Sequence, residues 1–183
     1  MNRPLILLQP LGTVDVNLLK YLKEGIEERL DVRVILSAMK MDVPEDAYVK
    51  SRRQYVSEKI IMYLRDKTMK LNYDRVLGVA DVDAFSPGLN FVFGQAWRSY
   101  AVIYLPRLRQ EFYKMKPNPE LFKLRALKEA LHELGHTFGL MHCPNSYCVM
   151  HFSNSIVDTD MKKAEYCFNC RFKLAVTGIR VKT

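Results

Sequence analysis

No stretch of this 183-residue chain approaches the roughly 20 consecutive apolar residues of a membrane-spanning helix. The apolar run near the start, LILL at 5–8, stops at Gln9 and Pro10. That is too short for the apolar core of a secretory signal, and no small-residue cleavage site follows it, so it reads as a buried strand and a cytoplasmic location is expected. Low-complexity tracts and internal repeats are missing as well, which excludes fibrous and solenoid architectures. Cysteine is sparse, with four residues, and in a reducing compartment these argue for thiols or metal ligands over disulfides. Acidic residues are outnumbered, 20 against 28 lysines and arginines, giving a formal charge of +8. The basic residues are nevertheless spread along the chain (KSRRQ, LPRLRQEFYKMK, TDMKK) without an arginine-rich arm, so nucleic acid is not expected as a partner.

The composition that remains, 49% hydrophobic and 26% charged, is that of a folded globular protein long enough to enclose a core. One domain covering 1–183 is expected, with an N-terminal subdomain over 1–139 and a smaller C-terminal one over 140–183. A monomer is the simplest expectation. Leu5 to Leu8 reads as a strand, followed by a helix capped by Thr13 or Asp15 with Leu18, Leu19, Leu22 and Ile26 at helical spacing. DVRVILSA gives a second strand, a helix runs around Arg53 to Lys67, and DRVLGVADV gives a third strand. This alternation predicts a mostly parallel sheet. NFVFGQA and SYAVIYL, linked by Trp97 and Arg98, predict a hairpin at the sheet edge. The fold class is therefore α/β (α+β), a mixed twisted sheet with backing helices.

KPNPELFKLRALKEALHELGHTFG predicts one long helix, with Asn118 as N-cap and Pro119 at the first helical position, where its missing N–H costs nothing. Leu121, Leu124, Leu127, Leu131, Leu134 and Phe138 form its core stripe. Arg125, Glu129, His132 and His136 share an adjacent face that the core residues leave free. The last forty-odd residues predict a small lobe of turns and one or two short helices, with Asp158 or Thr159 as a cap.

Three of the chain's four histidines and one cysteine fall within HELGHTFGLMHC at 132–143. Spaced four apart on a helix, His132 and His136 project from one side and can reach a single ion. Glu133, about 100° around the helix, cannot readily join them as a ligand but can reach a water held there. Gly139 can adopt the left-handed conformation that turns the chain sharply and returns His142 to the same ion. Three neutral imidazoles leave a fourth tetrahedral position open, the signature of a catalytic zinc. Taken singly, each histidine reads as a hydrogen-bonded helix residue and Gly139 as a plain helix terminus; the joint spacing carries the inference. Cys143, Cys148, Cys167 and Cys170 have the spacing of two knuckles gripping one ion. That predicts a second, structural zinc, with disulfides as the competing reading.

HELGHTFGLMH, the downstream Met150 in CVMHFSNS and the flanking cysteines resemble the metzincin metallopeptidases and, within them, the archaemetzincins. The resemblance implies a zinc-dependent peptidase with one catalytic and one structural Zn2+, and a peptide or protein substrate. It implies that Met150 forms the turn beneath the zinc-binding imidazoles and that a sheet-edge strand, for which NFVFGQA is the candidate, pairs with an extended peptide. Glu133 is the expected general base. The family includes aminopeptidases, so the resemblance leaves open whether a chain terminus or interior is cleaved. Two departures stand out: no masking pro-segment precedes the first strand, and His151 and Phe152 follow Met150 where some relatives carry a tyrosine. His151 or Tyr147 could take that tyrosine's place, although a structural role is the simpler reading of each. Two other functions fit the same residues: a non-catalytic two-zinc binding protein touching nucleic acid, and a hydrolase of a non-peptide amide.

Overall fold

The computed structural model describes residues 3–182. Five strands form the main sheet: β1 (Leu5–Leu11), β2 (Arg33–Leu36), β5 (Arg75–Ala80), β7 (Gly94–Trp97) and β8 (Tyr100–Tyr104), in the order β2-β1-β5-β8-β7. The first four of that order are parallel, and only β7 runs antiparallel, paired with β8 from Gly94↔Ile103 to Trp97↔Tyr100. The hairpin therefore lies at the sheet edge as its short link requires. Central β1 and β5 are buried on both faces, which is why LILL and VLGVA are continuous apolar runs and do not alternate. The regular strand in the NFVFGQA segment begins only at Gly94; the residues before it approach the sheet more loosely, with Val92 bridging Ala84.

Helix α1 (Val16–Arg29) starts at Asp15, whose carboxylate accepts from the Asn17 N–H at 2.9 Å, so Asp15 and not Thr13 is the cap. Its buried stripe, Leu18, Leu19, Leu22 and Ile26, joins the core on one sheet face. On the other face α2 (Ser57–Thr68) buries Ile60, Ile61 and Leu64 against Leu7, Val76 and Val102. This helix begins four residues later than the sequence predicts. Gln54–Val56 instead form β4, which sits between β3 (Tyr48–Val49) and β6 (Ala84–Phe85) in a small three-stranded sheet. Tyr55 and Val56 are aromatic and β-branched, and their pairing with Ala84 and Phe85 overrides the local helical pattern.

Helix α3 (Pro119–Thr137) is capped by Asn118, whose side chain accepts from the Leu121 N–H at 3.0 Å, with Pro119 at the first turn. From Arg125 onward it is buried almost all round, so the face carrying Arg125, Glu129 and His132 is not left free. The C-terminal segment covers it. Within that segment α4 (Ile156–Met161) is capped by Ser155, with Asp158 reaching back as the third helical residue, so the cap is neither Asp158 nor Thr159. Helix α5 (Phe168–Val176) buries Cys170 and Leu174. One continuous core runs from Ile6 and Ile26 through Leu131 to Val149, Met150, Tyr166 and Leu174.

Candidate active site

Helix α3 ends at Thr137, and Gly139 follows with φ of 92°. A side chain there would strain that backbone, and the turn it makes swings the chain back past the helix end. His132, His136 and His142 thereby bring ring nitrogens within 4.8 Å of one another. His132 Nδ1 faces the Val149 carbonyl at 2.8 Å, and His136 Nδ1 faces the Leu140 carbonyl at 2.8 Å. A carbonyl oxygen only accepts, so both Nδ1 atoms carry the proton and both Nε2 atoms are bare lone pairs. Those two Nε2 atoms are nevertheless 3.1 Å apart. Two lone pairs held that close repel each other unless a cation sits between them, and tetrahedral zinc at about 2.0 Å from each nitrogen would set them roughly 3.3 Å apart. Burial, then nearby Lys162, holds His132 well below the ordinary imidazole range; burial also lowers His136 and His142. Neutral rings are what metal ligation requires.

Met150 is fully buried beside Gly135 of α3, and it directly follows Val149, whose carbonyl faces His132. A Cβ at Gly135 would overlap the Met150 sulfur, so the glycine permits the close approach. The Met150 carbonyl accepts from the Cys143 N–H at 2.9 Å, which ties this turn to the residue after His142.

Glu133 lies on the cleft side, 4% exposed. Burial, and then the charge of Glu129, push its carboxyl well above the ordinary carboxylate range, with Lys162 acting in the opposite sense. The edge strand crosses directly over it: a Cβ on Gly94 would stand 2.6 Å from Glu133 Cγ and 2.7 Å from Oε1. The cleft itself, about 550 Å³, is lined by residues from 86 to 96 and from 129 to 142, with Phe152, Ser153 and Asn154 beside them. Phe152 packs on the His142 ring, centroids 4.9 Å apart. His151 turns away from the cleft, its Nδ1 against the Cys143 carbonyl at 2.9 Å, and Tyr147 is 61% exposed outside it. Neither takes the place of the missing tyrosine at the cleft wall.

The four cysteines gather next to this site. Cys143 and Cys167 place their sulfurs 3.7 Å apart, as do Cys148 and Cys170. A disulfide needs about 2.05 Å, whereas four thiolates at about 2.3 Å from a tetrahedral zinc stand roughly 3.8 Å apart. The observed spacing fits the ion. Burial pushes the Cys148 thiol up to about 11 and raises Cys170. Against the same effect of burial, the Cys170 N–H and the neighbouring sulfurs hold Cys167 below its usual value. Metal ligation would replace the thiol protons of this cluster with a cation.

Sequence reasoning put Glu129 on the histidine face without its partner, and it missed the part Gly94 plays. Glu129, one turn before His132, lines the cleft and is paired with the fully buried Lys162 at 3.1 Å. A glycine inside a strand pattern, as Gly94 is in NFVFGQA, is a recognisable signal of close approach.

Residues 13–176 match the family model described as Peptidase family M54. The archaemetzincin of Methanocaldococcus jannaschii is 46% identical over 178 residues, 96% of each chain. Among solved structures, the archaemetzincin of Methanopyrus kandleri superposes with a TM-score of 0.82 at 38% identity, covering 96% of this chain and 95% of that one. A zinc-dependent peptidase from Methanocorpusculum labreanum does so with a TM-score of 0.80 at 27% identity, covering 92% and 99%. With the converging histidines, these likenesses define the chain as a zinc metallopeptidase. More narrowly, it belongs to the archaemetzincins, peptidase family M54.

Proposed function

We propose that His132, His136 and His142 hold a catalytic zinc, that Cys143, Cys148, Cys167 and Cys170 hold a structural one, and that Glu133 is the general base of peptide hydrolysis. When bound, the catalytic ion supplies a Lewis acid for the scissile carbonyl and the attacking water. Glu133 takes the proton from that water and returns it to the leaving amine. Its burial suits both steps, because a carboxyl raised toward neutrality is a stronger base when ionised and a usable acid once protonated. The observation that carries this reading is the pair of bare Nε2 atoms 3.1 Å apart beside a buried, cleft-facing carboxyl.

The free edge of β7 borders the cleft, and an extended peptide added there would gain main-chain hydrogen bonds. Only two carboxylates, Glu129 and Glu133, line the cleft among the described residues, and Glu129 is already paired with Lys162. No lining carboxylate is thus spare to anchor a substrate α-ammonium, which supports cleavage within a chain over removal of its first residue.

Glu133→Ala tests the assignment. The variant is expected to keep full histidine-site zinc by metal analysis while peptide hydrolysis falls about 10²- to 10⁴-fold. Unchanged hydrolysis would remove Glu133 from the mechanism.

A further inference from the structure

The wall of the cleft that carries the edge strand, drawn from residues 86–96, is fastened from behind. Glu58, in the first turn of α2, accepts through Oε1 from the Ser86 hydroxyl and from Gln95 Nε2, the latter at 2.9 Å. Those two donors belong to opposite ends of the wall, and one carboxylate oxygen joins them. Glu58 itself does not line the cleft. Resting on the reading above in which an extended peptide pairs with the edge of β7, we propose that Glu58 is a positioning residue for peptide binding. Through Ser86 and Gln95 it fixes where that free edge is presented to the substrate.

Alternation along β7 gives this carboxylate its leverage. Gly94 faces Glu133 on the α3 side, so Gln95 turns its side chain to the opposite face of the sheet, where α2 lies. Main-chain groups alternate as well. The Phe93 carbonyl accepts from the Tyr104 N–H at 2.8 Å, so Phe93, Gln95 and Trp97 direct theirs to β8, which leaves those of Gly94 and Ala96 on the free edge. Both of these flank Gln95, and a displacement of Gln95 therefore passes directly to the groups that a peptide would meet. The middle of the wall is held from the same side, where Gln54 Nε2 and Arg52 Nη2 each donate to the Asn90 carbonyl at 3.0 Å. Of these ties, the one to Glu58 reaches β7 itself. An edge held in place before substrate arrives lowers the ordering cost of binding.

Steady-state kinetics of the zinc-loaded protein on a decapeptide that it cleaves test this. Glu58→Ala is expected to raise KM roughly tenfold while kcat stays within about twofold and zinc content is unchanged, the pattern of lost peptide binding and not of lost chemistry. Glu58→Gln keeps an acceptor oxygen for both donors and should hold KM within about threefold of the unsubstituted protein. Gln95→Leu added to Glu58→Ala should raise KM little further, because the bond it removes is already gone. An unmoved KM in Glu58→Ala, full additivity with Gln95→Leu, or a fall in kcat and zinc content at constant KM would overturn the proposal. Should Glu58→Ala fail to fold, the pair Ser86→Ala with Gln95→Leu frees the wall while leaving Glu58 in α2. A KM raised roughly tenfold in that pair supports the role of Glu58, and an unmoved KM overturns it. N-methylation of successive peptide nitrogens distinguishes the two levels of failure. If no methyl group raises KM in the unsubstituted protein, edge pairing fails and the role of Glu58 with it; methyl-sensitive binding that Glu58→Ala leaves unmoved sinks the role of Glu58 alone.

Discussion

At the scale of single residues, the site depends on a missing side chain as much as on those present. Gly94 lets the edge strand lie against Glu133, and even one methyl group there would stand within 2.6 Å of Cγ. That contact is inside van der Waals range, so either the strand or the carboxyl must move. β7 is held by four residue pairs to β8, whereas Glu133 ends a flexible side chain, so the carboxyl yields. Gly94→Ala is therefore expected to lower kcat/KM about 100-fold through misplacement of the base, with zinc content unchanged. The direction of the pH effect follows from the cause of the shift. Burial raises the Glu133 pKa, so pushing the carboxyl toward water lowers it, and the variant's base stays ionised further into acid. The acidic limb of its pH–kcat/KM profile should move to lower pH. An unaltered rate and profile would show that Gly94 does not position the base.

Among the elements, α3 does most to join sheet to lobe, and it does so through charge. Arg125 makes two bonds to Asp160, at 2.7 and 2.6 Å, Lys128 donates to the Thr159 carbonyl at 2.9 Å, and Glu129 meets Lys162 at 3.1 Å. The last pair is the most enclosed, with side chains 4% and 0% exposed. Removing one member strands the other charge in the interior, so Lys162→Met or Glu129→Gln alone is expected to cost about 3–5 kcal/mol by urea denaturation. The double variant Glu129→Gln with Lys162→Met should lose less than the two single costs added, and strict additivity would mean the charges do not sense each other. This belt also marks the limit of what local sequence could reveal. Asn118, Pro119 and Gly139 made both ends of α3 legible, and the 132–136–142 spacing made the histidine cluster legible, because those signals lie within a few turns of one another. The burial of Arg125, Lys128 and Glu129 was not legible: their partners come 31 to 35 residues later, and nothing near them in sequence announces the lobe. The early start assigned to α2 has the same origin, since Tyr55 and Val56 are made into a strand by Ala84 and Phe85, well outside any helical window.

Over the whole molecule, the histidine site lies where two differently stabilised regions meet. The sheet keeps a second apolar cluster on its α2 side, with Leu7, Ile60, Ile61, Leu64 and Val102, which involves no residue beyond Tyr104. The lobe contributes a minority of the large apolar groups of the main core, and its tail is clipped to the end of α1 by the Lys182 N–H, which donates to the Arg29 carbonyl at 2.8 Å. With the proposed structural zinc in place, a lobe of that size would draw much of its stability from four thiolates closing on one ion. The consequence reaches the cleft through covalent adjacency, because His142 precedes Cys143, whose N–H donates to the carbonyl of buried Met150. Replacing Cys167 and Cys170 with serine is therefore expected to weaken zinc binding at the histidines by roughly 10- to 100-fold, as loss of a ligand's support typically does. Amide exchange should speed up across residues 140–182 while β1, β5 and α2 keep their protection. Full retention of zinc, activity and exchange protection in that variant would separate the two clusters and leave the lobe standing on its apolar contacts alone.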